Sequence, residues 1–384
     1  MAQNGNRKKK KPRRFYDYSL LVTIICLTVF GLIMIYSSSS YNAQISGLSA
    51  SYYMTRQAAI GLMGFAAMLL ISKMDYHFFA KFTYLSIIVS YVCMILVNFT
   101  PLGYEVNGKK RWLGTRNMRF QPTELVKVTV ILVLAVIITK LGKRINEWAS
   151  WAMIGAILLP LALLVTMNNL SSGIIICGIG YVMMFVACKK KWPFLTVVAV
   201  GAAAYLFAEP VAQALLKAKI LQGYQVNRIL VWKNPEAYPL DGGYQILQGL
   251  YAIGSGGLLG KGLGQSIQKL SFLPEPQNDM IFAIICEELG LFGAVFVIFL
   301  FLFMIYRFML IAGNAPDLFG ALLVTGVLAH IAIQVILNIA VVTNVIPNTG
   351  VTLPFISYGG TSVLFLMVEM GMVLSVSNQI RMER

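Results

Sequence analysis

Apolar residues run almost uninterrupted for about twenty positions at a time along most of this chain, and polar residues collect between the runs. The runs lie near residues 18–38, 56–73, 77–98, 121–140, 149–166, 171–188, 193–212, 279–306, 318–341 and 360–379. A hydrocarbon layer about 30 Å thick is crossed by roughly 20 helical residues, so each run predicts a membrane-spanning helix. Transmembrane strands would instead show ten-residue segments of alternating polarity. The expected fold is therefore all-α and polytopic, with about ten transmembrane helices. The first run is too long for a signal-peptide core and no cleavage site follows it, which predicts a retained anchor. The organisation reads as a tail over 1–17, one membrane-embedded unit over 18–380 and a short end at 381–384, with one large loop, 213–278, between helices 7 and 8.

Composition agrees. Of 384 residues, 58% are hydrophobic and 12% charged, where a soluble domain carries about 25% charged residues. So few charges cannot cover a soluble core of this size, and disorder or a disulfide scaffold is excluded as well. The five cysteines (Cys26, Cys93, Cys177, Cys188 and Cys286) fall in or at the ends of apolar runs and read as small core residues.

Charge adds orientation. The net charge is +16, and Arg7, Lys8, Lys9, Lys10, Lys11, Arg13 and Arg14 cluster before the first run. A basic tail beside a first span marks a cytoplasmic N-terminus near anionic lipid, and no nucleic-acid partner is expected. An even span count puts the C-terminus inside too. Lys73, Lys81, Lys140, Lys143, Arg144, Lys189, Lys190, Lys191 and Arg307 then fall at inner span ends. Residues 99–120 break the rule, with five basic residues on the predicted outer side. An anionic ligand is one reason for such a cluster.

Ionisable residues at membrane depth cost about 2.5–3.5 kcal/mol each on insertion scales. Glu124 and Lys127, three residues apart, share a helix face; they read either as a local ion pair or as a charged pair lining an outer cavity. Asp279 opens the eighth run, either as a helix cap or as a carboxylate tuned for general-base work. For Glu287 and Glu288, internal hydrogen bonding is favoured over proton coupling, and structural pairing is favoured for His330 and Glu369. The 24 residues 241–264 hold nine glycines, which suggests backbone packed closely on a membrane surface or a ligand. Gly260-Lys261 does not complete a phosphate-binding loop, because Ser255 and Gly262 stand at required positions.

Several phrases then combine in order: Lys110-Arg-Trp-Leu-Gly114, Phe120-Gln-Pro-Thr-Glu-Leu-Val-Lys127, Gly243-Tyr-Gln-Ile-Leu-Gln248, Ala252-Ile-Gly-Ser-Gly-Gly257, Leu273-Pro-Glu275 with Asn278-Asp279, Glu287-Glu-Leu-Gly290, Pro347-Asn-Thr-Gly350 and Leu353-Pro-Phe-Ile-Ser-Tyr-Gly-Gly-Thr-Ser362. From about residue 15 onward the chain resembles the SEDS family (shape, elongation, division, sporulation), the FtsW/RodA/SpoVE group. The resemblance implies ten helices and a peptidoglycan glycosyltransferase that polymerises lipid II at the outer face of the bacterial cell membrane. Asn168-Asn-Leu-Ser-Ser-Gly173 looks closer to the division-and-sporulation branch, which implies work at the septum. The family's required aspartate falls on Asp279, and Glu124 and Lys127 match the polar pair of its outer cavity. Gln277-Asn278 stands where the family often has His-Thr. Lys127, Arg111 and Arg228 are candidates for diphosphate contact, with Lys261 a further substrate-contact candidate. A divalent cation, Mg2+ or Mn2+, is expected to share that load, with no organic cofactor. A class B penicillin-binding protein and other division-complex membrane proteins are the implied partners. The competing readings are a lipid II flippase and a non-catalytic scaffold for such a synthase.

Overall fold

Apolar runs become helices because a peptide group in hydrocarbon must find its hydrogen bond within the protein. The computed structural model describes residues 15–106, 109–114, 119–208, 210, 214 and 223–381. The helices, in chain order, are α1 (Tyr18–Ile45), α2 (Tyr52–Lys73), α3 (His77–Lys81), α4 (Thr83–Phe99), α5 (Pro122–Leu141), α6 (Trp148–Thr166), α7 (Leu170–Ala187), α8 (Trp192–Leu206), α9 (Gly223–Lys233), α10 (Tyr244–Gly256), α11 (Ile281–Gly313), α12 (Leu318–Val342) and α13 (Gly360–Gln379). Among the described residues every predicted span has its apolar helix. Eight are long and apolar enough to cross a membrane, while α4 and α8 are shorter, at 17 and 15 residues. The basic tail lies outside the described residues apart from its last three positions.

The structure corrects the reading in one place and adds detail in three. The run 77–98 is not one helix: a tight turn at Phe82, whose amide reaches the Phe79 carbonyl at 3.1 Å, separates α3 from α4. Within the all-α fold, β1 (Gly103–Val106), β2 (Lys109–Gly114) and β3 (Arg119–Phe120) add a small antiparallel sheet in the order β1-β2-β3. The long segment after α8 carries α9 and α10. Finally, α11 begins at Ile281, not 279, and breaks at Gly290 (φ 64°, ψ −161°).

That break explains the glycine run. Breaking α11 frees backbone groups, and the segment after α10 takes them up. Lys261 and Gly262 N–H groups donate to the Glu287 and Glu288 carbonyls at 2.9 Å each, and Leu291 N–H donates to Gly257 O at 3.0 Å. A Cβ on Gly256 would lie 1.9 Å from Cys286 O, and one on Gly260 2.2 Å from Glu288 O. The glycines therefore pack on another helix's backbone, a partner the sequence reading did not name.

A second irregular segment, 343–359, enters the bundle between α12 and α13. Leu353, Phe355 and Ile356 are buried, and a Cβ on Gly31 of α1 would strike Phe355 O at 2.6 Å. Non-helical backbone at membrane depth is tolerated only where the protein satisfies it, and side-chain amides do so here. Gln57 donates to Ser357 O and accepts from Gly359 N–H. Gln334 donates to Thr352 O and Asn338 to Val351 O. Helix α13 runs along α2 with small residues at the crossing: a Cβ on Gly371 would lie 2.8 Å from Ile71.

Candidate active site

Helix α5 starts with Pro122 in its first turn, which suits proline's fixed φ and missing N–H. That start places Glu124 and Lys127 on one buried face, with Lys127 Nζ 2.9 Å from Glu124 Oε2. Lys127 also donates to Gln334 Oε1 at 3.2 Å. Gln334 Oε1 lies 2.9 Å from His330 Nε2, and His330 Nδ1 lies 2.8 Å from Glu369 Oε2. A polar chain thus runs from α5 through α12 to α13, and pairing accounts for both His330 and Glu369.

Asp279 sits in the turn before α11, outside the span. A Cβ on Gly350 (φ 66°) would come within 3.6 Å of its Oδ2, so the Asp279 carboxylate faces the 347–352 segment. The Asp279 carbonyl accepts from Asn338 Nδ2 at 2.8 Å, and that same nitrogen donates to Val351 O at 2.7 Å. Glu275, nearby in the same loop, adopts a left-handed backbone conformation (φ 53°) and bonds the Asn278 amide, a placement that functional loops sustain at a cost. Burial pushes the Asp279 carboxyl up from 3.8 to about 7, helped by the Glu275 charge and opposed by Arg111. A carboxyl poised there can take up a proton near neutral pH.

The 347–352 segment gathers the remaining groups. Arg228 on α9, exposed, donates to Asn348 O at 3.1 Å. Asn348 Nδ2 donates to Gln245 Oε1 at 2.9 Å and Ser171 to Thr349 O at 2.6 Å. Arg111 on β2 donates from Nε to Asn168 O at 3.1 Å, which draws the sheet over this end of the bundle. Asp279, Arg111, Arg228, Glu124 and Lys127 therefore converge on one end. Lys261 does not join them: its Nζ is 2.6 Å from Glu287 Oε1. Glu288 is likewise paired, with Lys269 Nζ at 2.7 Å and Ser37 Oγ at 2.6 Å. Both glutamates form internal hydrogen bonds, as expected.

Among the described residues, several buried polar atoms without a hydrogen bond cluster here: Thr123 Oγ1, Gln277 Oε1, Asn278 Oδ1, Asp279 Oδ1 and Thr349 Oγ1. Buried polar groups are nearly always paired, so these atoms are available to a polar ligand or to water. No three His, Cys, Asp or Glu side chains converge to hold a metal among the described residues. Sequence reading missed Gln334 and Asn338. The signal was present: His330, Gln334 and Asn338 recur every four residues on one face of an apolar span.

Comparison with known proteins bears on this arrangement. Stage V sporulation protein E of Bacillus subtilis (strain 168) is 35% identical over 376 residues, 97% of this chain and 99% of that protein. The probable peptidoglycan glycosyltransferase FtsW of Trichlorobacter lovleyi is 32% identical over 372 residues, covering 96% and 95%. Among solved structures, a chain of a peptidoglycan synthase complex superposes with TM-score 0.77 at 26% identity, covering 95% of this chain and 98% of that one. The rod shape determining protein RodA of Thermus thermophilus, at 22% identity, superposes with TM-score 0.69 over 96% of this chain and 98% of its own, sharing the fold. The FtsW/RodA/SpoVE model, described as cell cycle protein, matches residues 18–382, and the chain belongs to that family.

Proposed function

We propose that this protein is a peptidoglycan glycosyltransferase that polymerises lipid II at the outer face of the bacterial cytoplasmic membrane, working at the division or sporulation septum. The observation that carries the reading is the half-buried Asp279, with an unpaired Oδ1 among unpaired polar groups and with lysine and arginine on the same end of the bundle. The glycosyltransferase names borne by relatives along nearly their full length support it.

Chain extension needs a base for a sugar hydroxyl and positive charge for a diphosphate leaving group. In this proposal the 4-hydroxyl of one lipid II attacks C1 of the growing chain. Asp279 takes the hydroxyl proton, the C1–O bond to diphosphate breaks, and undecaprenyl diphosphate departs. Lys127, Arg111 and Arg228 face the diphosphate. Mg2+ or Mn2+ would be carried chiefly by the diphosphate, as magnesium is in sites with few protein ligands, and no residue of this chain is assigned to it. A class B penicillin-binding protein is the proposed partner that cross-links the glycan, alongside other division-complex membrane proteins.

Lipid II translocation is a poorer fit. Its charged path would use Glu287, Glu288 and Glu369, and each is occupied by Lys261, Lys269 or His330. The discriminating experiment gives the purified protein, with its cognate synthase, lipid II and a divalent cation. Moenomycin is added to silence class A synthases, and glycan length is read on a gel. Polymer supports the reading. Translocation of labelled lipid II in proteoliposomes without polymer would replace it with the flippase.

A further inference from the structure

The buried polar face of α12 does more than fill space. Asn338 is fully buried, and its Oδ1 has no hydrogen-bond partner among the described residues. Its Nδ2 donates to two carbonyls at once, Asp279 O at 2.8 Å and Val351 O at 2.7 Å. One turn earlier, Gln334 joins a second pair: its Oε1 accepts from Lys127 Nζ at 3.2 Å, and its Nε2 donates to Thr352 O at 3.0 Å. The base and the cation of the proposed reaction are thereby tied, through two amides one helical turn apart, to adjacent residues of one strand of backbone.

We propose that Asn338 and Gln334 are positioning residues, a two-point ruler on α12 that sets Asp279 against Lys127. The inference rests on the polymerase reading above. Neither amide touches the reacting atoms in this account. Asn338 acts through Asp279, and therefore on the chemical step. Gln334 acts through Lys127, and therefore on the grip on diphosphate. His330 and Glu369 extend the second arm, holding the Gln334 carbonyl from the other side.

The competing explanation is that both amides merely satisfy the carbonyls of the irregular segment. In that case each loss would follow the amount of folded protein and leave the kinetic constants of the folded fraction alone. The test uses the purified chain with its partner synthase. It compares Asn338→Ala and Gln334→Ala, with Asn338→Ser and Gln334→Met as milder versions, in initial-rate assays on lipid II. Misplacement of a catalytic group by about 1 Å can cost roughly a hundredfold. Asn338→Ala is expected to lower kcat about ten- to a hundredfold with KM within about twofold. It is also expected to move the acid limb of the kcat–pH profile to lower pH, as water reaches the carboxylate; Glu275 and Arg111, the charges acting on Asp279, remain in place. Gln334→Ala is expected to raise KM several-fold with a smaller change in kcat. Constants equal to wild type in folded variants would overturn the proposal. So would losses in all four variants that simply follow the folded fraction. A wild type that makes no polymer defeats the polymerase reading itself, whereas an active wild type with indifferent variants defeats only the ruler.

Discussion

Replacing Lys269 by methionine tests the account of the paired glutamates directly. Glu288 is fully buried, and its Oε1 accepts from Lys269 Nζ at 2.7 Å, from Ser37 Oγ at 2.6 Å and, at 3.4 Å, from Ser266 N–H. Lys269 is itself only 5% exposed, so water cannot replace the ammonium. Removing one partner of such a pair costs about 3–5 kcal/mol, because the other charge is left buried and uncompensated. That is at least a hundredfold in the folded-to-unfolded ratio. Lys261→Met is expected to cost less. The Lys261 side chain is 28% exposed, so water screens that pair, and Glu287 keeps Ser266 together with the Ile267 and Gln268 amides. The double variant Lys269→Met with Glu288→Met, apolar on both sides, is expected to recover most of the loss. Equilibrium unfolding in detergent measures all four proteins. If Lys269→Met unfolds like wild type, or if the double variant is no better than the single one, the pair is not structural, and a role for Glu288 in a charge path returns.

Further expectations follow from other parts of the molecule. Gly260→Ala puts a Cβ 2.2 Å from Glu288 O at a φ of 77°; backbone strain alone costs about 1–3 kcal/mol, and thermal unfolding should show at least that. At the other end of the bundle, His77 lies outside the spanning helices, with Nδ1 2.7 Å from Asp75 and Nε2 2.6 Å from Asp317. Burial opposes the charged ring, but the two carboxylates outweigh it and hold its pKa above 6.5. Its stabilisation is thus complete below about 6.5 and fades as pH rises through the raised folded value. Unfolding measured from pH 6 to pH 9 should show this decline in wild type and lose it in His77→Gln. Polymerisation by wild type should rise with pH through about 7 as Asp279 loses its proton, and a rate flat across that pH would remove Asp279 as the base.

The helices were legible because an apolar run in a membrane must satisfy its backbone internally; most boundaries moved by few residues, but α1 and α11 run about two turns further, to Ile45 and Gly313, and the run 77–98 splits in two. Glu124 and Lys127 stood out for the complementary reason, as charges at membrane depth against apolar neighbours, whereas Asp279, in the turn before α11, was singled out by the family resemblance. The sheet over 103–120 was not, since its short strands mix Gly, Lys and Arg and carry no run of alternating polarity. Gln57, Gln334 and Asn338 escaped because an uncharged amide in an apolar helix raises no electrostatic flag, and its worth depends on carbonyls distant in sequence. The ion pairs of Glu287 and Glu288 needed partners some twenty residues upstream, brought back by the break at Gly290. The same fold explains why Lys261, plausible as a substrate contact by charge alone, is committed elsewhere.

The measurement that tests the central claim most directly is glycan polymerisation by Asp279→Ala beside wild type, each purified with its partner synthase and supplied with lipid II, a divalent cation and moenomycin. Loss of a general base lowers rates by about 10²–10⁴-fold. The account predicts long glycan from wild type and none on the same timescale from a variant that unfolds normally and still holds its partner. Equal polymer from both proteins would contradict it, removing Asp279 from the chemistry and the unpaired polar patch around it from the active site.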